Sequence, residues 1–262
     1  MRILFVADVV GRPGRHCLSR ALPELRRQHA PDVVIANGEN SAGGTGITPK
    51  TAQEIFGSGV DVITSGNHAW DRPEILAHID DQPRLLRPAN YPEPTPGSGV
   101  CLVPLHGGTT LAVVNLLGRV FMGNYDDPFR AADRILAELD GRATAIFVDF
   151  HAEATSEKMA LGWHLDGRVS AVVGTHTHVA TADERVLPGG TAFISDAGMT
   201  GPYDSVIGVD TAQVLQRFLS QRPVRLRPAV NDVRLAGVLV DVASNGRAES
   251  IRRIVYRMDE SA

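Results

Sequence analysis

Short apolar runs alternate with longer segments of helical periodicity along this chain. The apolar runs are rich in Val and Ile, and they are short enough to be strands buried in a sheet. They span residues 3–7, 33–36, 60–63, 111–116, 145–150, 171–173, 192–194, 235–242 and 251–256. This alternation predicts a sheet whose faces are covered by helices.

Four segments between these runs have the apolar spacing of a helix face. In residues 15–29, Leu18, Leu22 and Leu25 recur at intervals of four and three. The other three segments are 49–57, 128–141 and 208–221. Helices between strands favour crossover connections, whereas the last two strands follow each other directly and could pair as a hairpin. The pattern predicts one α/β domain over residues 1–262, in four layers if the sheet splits in two.

Composition and charge narrow the class of protein. The 262 residues are 43% hydrophobic and 21% charged, which is ordinary for a globular domain. The net charge of −4 gives no electrostatic support for general binding to nucleic acid or to an anionic membrane. We therefore expect no extensive nucleic-acid surface, although a local site of positive charge is compatible with this balance.

The sequence carries no signal for secretion, for a membrane span or for a disulfide framework. The apolar start is interrupted at Asp8, which is too early for a signal peptide, and no run of about 18 apolar residues occurs elsewhere. Cys17 and Cys101 are the two cysteines, and they form no CxxC motif. We expect a soluble, cytoplasmic protein. Its oligomeric state is open, and a homo-oligomer is compatible with the sequence.

Side chains that can bind a cation collect at the carboxyl ends of five apolar runs. They are Asp8, the pair Glu39 and Asn40, the pair Asn67 and His68, His151, and the pair His176 and His178. Each group alone has an ordinary interpretation, such as a turn or a buried imidazole. In open α/β sheets, however, ligands bind outside the carboxyl ends of the strands, so one shared site would explain all five groups. Together they predict a metal site.

Counting the potential ligands refines this prediction. Leaving His68 aside, the groups supply seven ligands, and two four-ligand metals that share one carboxylate also need seven. Glu39 is the natural shared ligand because its two oxygens can bind different ions. On an extended segment His176 and His178 would point to the same side. Two divalent cations leave the site net positive, which favours an anionic phosphate ester over a neutral amide.

The motifs and their order resemble those of the calcineurin-like metallophosphoesterases. That family has an Asp after the first strand, an acidic-Asn pair, GNH, a lone His and GHxH. Here they read Asp8, GEN at 38–40, GNH at 66–68, His151 and GTHTH at 174–178. Two departures, Val10 for a histidine and Glu39 for the usual Asp, indicate the bacterial YmdB-like branch. The segments ADVVGRPGR, NGENSAGG and SGNHAWD are similar to that branch as well.

The resemblance implies a fold, a metal centre and a reaction. The fold would be two packed mixed β-sheets flanked by helices, in four α/β/β/α layers. One metal would be held by Asp8, Glu39, Asn40 and His178, and the other by Glu39, Asn67, His151 and His176. Iron or manganese is expected, and the ligand chemistry also allows zinc or cobalt. The implied reaction is hydrolysis of a small phosphodiester, cyclic nucleotides included.

His68 is the motif imidazole that has no metal assigned to it. We expect it to donate the proton to the leaving alkoxide, and the alternative is that it only hydrogen-bonds the phosphate. Ala69 follows it where many relatives have an acidic residue, which leaves open whether Asp71 orients the ring. Two other functions also remain: a phosphomonoesterase such as a nucleotidase, and a non-enzymatic regulatory or RNA-binding scaffold.

Overall fold

A computed structural model describes residues 1–258, and its strands and helices follow the alternation of the sequence. The strands are β1 (Arg2–Val6), β2 (Asp8–Val9), β3 (Val33–Asn37), β4 (Val62–Thr64), β5 (Val100–Pro104), β6 (Thr110–Leu117), β7 (Ala145–His151), β8 (Ala171–Thr175), β9 (Arg185–Val186), β10 (Ala192–Ile194), β11 (Met199–Pro202), β12 (Val233–Val242) and β13 (Ala248–Arg257). The α-helices are α1 (Gly11–His29), α2 (Pro49–Gly57), α3 (Pro128–Leu139), α4 (Thr155–His164) and α5 (Thr211–Ser220).

These strands form two mixed sheets. The first has the order β2-β11-β12-β1-β3-β4, in which β11 pairs with residues 233–234 of β12 and β1 with residues 237–241. Strand β13 also pairs with β12, as the predicted antiparallel hairpin. In it β1, β3 and β4 run parallel. The second sheet has the order β5-β6-β7-β8-β10-β9, and its four central strands run parallel. The predicted ligands therefore lie at the carboxyl ends of β1, β3 and β4 in one sheet and of β7 and β8 in the other.

The alternation of side chains along β1 shows how the layers pack. Ile3 and Phe5 point into the core between the sheets, where the Phe5 ring lies 5.2 Å from that of Phe147. Leu4 and Val6 point the other way and pack with α1 and α2. On the far side of the second sheet a third core contains residues of α3 and α4. The predicted four-layer α/β/β/α arrangement is confirmed.

Some elements differ from the prediction. Helix α1 begins at Gly11 rather than at residue 15, because its first turn carries no apolar stripe to mark it. Gly14 in that turn packs tightly on β11, where a Cβ would lie 2.3 Å from the carbonyl oxygen of Thr200. Helix α4 was not predicted, because a buried charged side chain, Lys158, interrupts its apolar face. Strands β2, β5, β9 and β11 were also not predicted, since three of them have at most four residues. No helix within residues 1–258 is long and apolar enough to cross a membrane.

Candidate metal centre

His151 at the end of β7 is the centre of one group of potential ligands. Its Nε2 lies 3.0 Å from Glu39 Oε1, 3.1 Å from Asn67 Oδ1 and 3.0 Å from His176 Nδ1. One ring nitrogen carries at most one hydrogen, so it cannot donate to all three neighbours. These two oxygens and two nitrogens lie close together and are of the kinds that bind transition metals.

A second group lies around His178. Its Nε2 is 3.1 Å from the Asn40 side-chain amide and 3.8 Å from Asp8 Oδ1. The same amide contacts Glu39 Oε1 at 3.1 Å. Because the oxygen and nitrogen of an amide can be exchanged by a rotation, the Asn40 oxygen can face both groups.

Asp8 and Gly66 each indicate that the site is built for a cation. Asp8 Oδ1 is fully buried and has no hydrogen-bond partner within residues 1–258, which costs free energy unless a positive charge satisfies it. At Gly66 a Cβ would lie 2.3 Å from Glu39 Oε2 and 2.4 Å from His151 Nε2. Because glycine has no side chain, the space between the Glu39 carboxylate and the His151 imidazole stays open. Both observations, with the donor set, fit a metal centre.

A chain of hydrogen bonds orients His151 from behind. Its Nδ1 lies 2.9 Å from the hydroxyl of Thr175, which donates at 2.7 Å to Asp149 Oδ1. The Thr175 oxygen is therefore free to accept from Nδ1–H, which leaves Nε2 with its lone pair toward the site. Asp149 is itself buried and also accepts from Thr64 and Asn37. Metal-binding histidines are held in this way in proteins generally.

The other two histidines have the same kind of support on the nitrogen that faces away from the site. Nε2 of His176 lies 3.1 Å from Glu153 Oε2, so its Nδ1 faces the His151 group. Nδ1 of His178 lies 2.8 Å from the backbone oxygen of Ile207, so its Nε2 faces Asn40. The two residues therefore belong to different groups, as the resemblance implies.

The backbone of this pair is not extended, and that part of the sequence reasoning was wrong. Strand β8 ends at Thr175, and both His176 (φ 100°) and His178 (φ 64°) are in the left-handed region. Thr177 between them donates its N–H and its hydroxyl to Asp196 Oδ2, at 3.1 and 2.9 Å. A turn, held by Asp196, separates the two imidazoles.

Burial and neighbouring charges shift several pKa values in the site. Burial raises the pKa of Asp8 to about 6. Burial disfavours charge on Glu39 and His151 as well, but their mutual attraction prevails and lowers the pKa of Glu39 to about 2 while raising that of His151 to about 9. Burial and the charge of His151 lower the pKa of His176 to about 3. His176 is therefore a neutral imidazole at pH 7. His151 has to release the proton that Glu39 holds on it before its Nε2 can bind a metal, because a metal ligand must be neutral.

His68 stands at the opening of the site rather than inside either group. Its Nδ1 lies 2.8 Å from Asp71 Oδ2, and its backbone N–H donates to Glu39 Oε2 at 3.1 Å. The ring borders a cavity of about 740 Å³ that is also lined by Glu39, Asn40, His176 and His178. The question that the sequence left open is thus answered, since Asp71 contacts the ring.

The structure thus brings all eight predicted residues to one place, and it adds others that were not singled out. Asp149 lies two positions before His151 in a strand. Side chains two positions apart in a strand point to the same side, so the sequence could have indicated that Asp149 lies beside the His151 ring. Lys158 and Asp196 have no such signal, because they are distant in sequence from the turn that they support.

This chain is similar to known proteins over nearly its whole length. A family model described as YmdB-like protein matches residues 4–254. A 2′,3′-cyclic-nucleotide 2′-phosphodiesterase of Bacillus subtilis is 52% identical over 260 residues, which cover 99% of this chain and 98% of that protein. The crystal structure of a hypothetical protein from Thermus thermophilus has a TM-score of 0.93 and 44% identity, covering 99% of this chain and 100% of that one. That of a phosphatase from Mycoplasma pneumoniae has a TM-score of 0.92 and 32% identity, covering 100% and 95%.

Proposed function

The chain belongs to the YmdB-like family, and from this membership and its site we propose that it is a metal-dependent phosphodiesterase that hydrolyses cyclic nucleotides or related small phosphodiesters. The Bacillus subtilis relative makes 2′,3′-cyclic nucleotides the first substrates to test. The observation that carries the proposal is the convergence of Glu39, Asn67 and His176 on the single Nε2 atom of His151. A protein without a bound cation gains nothing from that crowding of lone pairs.

Each of the two groups would hold one metal ion. Asp8, Asn40 and His178 would hold one ion, Asn67, His151 and His176 would hold the other, and Glu39 would contact both. Iron or manganese suits this set of imidazole, amide and carboxylate ligands, and zinc or cobalt is also compatible with it. When bound, such a pair supplies a water of lowered pKa and positive charge for the phosphate oxygens.

The protein's own residues would supply orientation and the proton. Asp71 accepts from Nδ1–H of His68, which fixes the ring and leaves Nε2 to carry a proton toward the leaving alkoxide. Each of the three histidines has an acceptor on the ring nitrogen that faces away from the site. The other ring nitrogen of each is thus directed into the site, so the imidazoles need no rearrangement to bind metal. We propose further that residues 1–262 act as one domain, in the cytoplasm.

A panel of three phosphate esters tests this function. Purified manganese-loaded protein should hydrolyse bis(p-nitrophenyl) phosphate and a 2′,3′-cyclic nucleotide much faster than a nucleoside monophosphate. Turnover of the monoester alone would establish the phosphomonoesterase instead. The regulatory scaffold would be supported if none of the three were hydrolysed and if His178→Ala bound as much metal as the wild type. His106→Ala is the matched control, because His106 is exposed and lies outside the site.

A further inference from the structure

Two arginines at the rim of the cavity beside the histidines have side chains without a polar partner in the described residues. Arg225 and Arg227 line the cavity together with His68 and His178. Both are exposed, and neither guanidinium has a hydrogen bond or an ion pair with any residue from 1 to 258. Arg72, the third arginine of this cavity, differs because it donates to the backbone oxygens of two loop residues, Ala42 and Thr45. Arg225 and Arg227 are thus free to bind an anion.

A second and larger cavity adjoins the first. It has a volume of about 1150 Å³ and lies along the N-terminal half of α1 and the length of α2. Gly43 and Pro228 line both cavities, so these two residues form the border between them. The two openings therefore follow one another on the same surface.

Unpaired cations also line the second cavity. Arg12 and Lys50 are exposed, and neither side chain has a hydrogen bond or an ion pair in the described part of the chain. Arg15 is paired with Glu54 at 2.6 Å and contributes little net charge. Val230 and Met258 add apolar surface to the same cavity. Positive charge and apolar contact thus continue past the metal site, in a protein whose net charge is −4.

The size and charge of this path exceed what a mononucleotide can use. Pockets of about 300–1,000 Å³ hold one ligand of ordinary size, so the metal cavity alone can hold a mononucleotide. A mononucleotide at the metals would leave Arg12 and Lys50 without a partner. A short single strand would place one phosphodiester after another along the path, and arginine and lysine bind such phosphates well.

We propose that the preferred substrate is a short oligoribonucleotide that ends in a 2′,3′-cyclic phosphate. This proposal rests on the proposed function. The terminal cyclic ester would lie at the metal ligands, and the phosphates upstream would contact Arg225 and Arg227 and then Arg12 and Lys50. A footprint of a few nucleotides agrees with the acidic overall charge, because it needs only a local basic path. The reaction that supplies this substrate is RNA cleavage by attack of a 2′-hydroxyl on the adjacent phosphodiester, which leaves a cyclic phosphate.

The test compares a cyclic mononucleotide with a tetranucleotide that has the same cyclic end. In the wild type kcat/KM should be at least about tenfold higher for the tetranucleotide. Two double variants, R225Q/R227Q and R12Q/K50Q, should lower the ratio of the two kcat/KM values. R20Q/R27Q removes the same charge from exposed positions of α1 outside both cavities and should leave the ratio at the wild-type value.

A binding measurement separates this proposal from the function on which it rests. Fluorescence anisotropy should show that a labelled tetranucleotide with a 3′-phosphate binds the wild type and binds both double variants more weakly. The slope of log affinity against log salt should fall by about 1.4 when two cations are removed. Equal kcat/KM for the two substrates, or a ratio unchanged in the variants, would overturn the proposal while leaving the phosphodiesterase intact. If neither cyclic ester were hydrolysed, the proposed phosphodiesterase function would be wrong. If the two double variants bound the labelled tetranucleotide as tightly as the wild type, the proposed oligonucleotide site would be wrong.

Discussion

Lys158 and Asp196 form an ion pair that is buried from solvent. The ammonium of Lys158 donates to Asp196 Oδ2 at 2.8 Å, and both side chains are 1% exposed. The same carboxylate oxygen accepts from the N–H and the hydroxyl of Thr177. The pair therefore supports the turn in which both His176 and His178 have positive φ, a conformation that costs free energy in a residue other than glycine.

Removing one charge of this pair should be costly. We expect Asp196→Asn to lower the free energy of unfolding by about 3–5 kcal/mol, because Lys158 is left buried without its partner. Asp133→Asn is the control, since Asp133 pairs with Arg168 at the surface and its loss should cost about 1 kcal/mol or less. Urea denaturation measures both variants. Equal small losses would show that the buried pair does not stabilise the turn.

Gly66 leaves space that the proposed metal ligands need. Gly66→Ala would bring a Cβ to 2.3 Å from Glu39 Oε2 and 2.4 Å from His151 Nε2. We expect this variant to bind at least one equivalent of metal less than the wild type and to lose its diester turnover, because those side chains must move. At Gly57, at the end of α2, a Cβ meets nothing within 4 Å, so Gly57→Ala should keep both properties. Metal analysis of the two proteins checks this, and full metal content in Gly66→Ala would contradict it.

Substitution of His68 should depend on the leaving group. His68→Asn should lower kcat for a cyclic nucleotide by about 10²–10⁴-fold, because the ribose alkoxide needs a proton. The loss should be much smaller for bis(p-nitrophenyl) phosphate, because p-nitrophenolate leaves without one. Asp71→Asn should have a weaker effect of the same kind. Equal losses on both substrates would assign His68 to phosphate binding instead of proton transfer.

The sequence predicted the parts of the site that depend on strand ends. Asp8 and His151 follow or end apolar runs, and parallel strands bring such ends together whatever the loops do. The turn at His176 and His178 could not be predicted in this way, because its conformation depends on Asp196, which is far along the chain. The same is true of Arg225 and Arg227, whose place at the cavity depends on the path of an irregular segment after α5.

Metal content and cyclic-nucleotide hydrolysis, measured on the same samples, test the central claim most directly. Wild-type protein should bind two equivalents of manganese or iron, lose its activity on chelation and regain it as the second equivalent is restored. His176→Ala and His178→Ala should each retain about one equivalent, because the two imidazoles face different groups of ligands. The account would be contradicted if the wild type bound one equivalent of metal and either substitution removed it. Full hydrolysis by the metal-free protein would also contradict it.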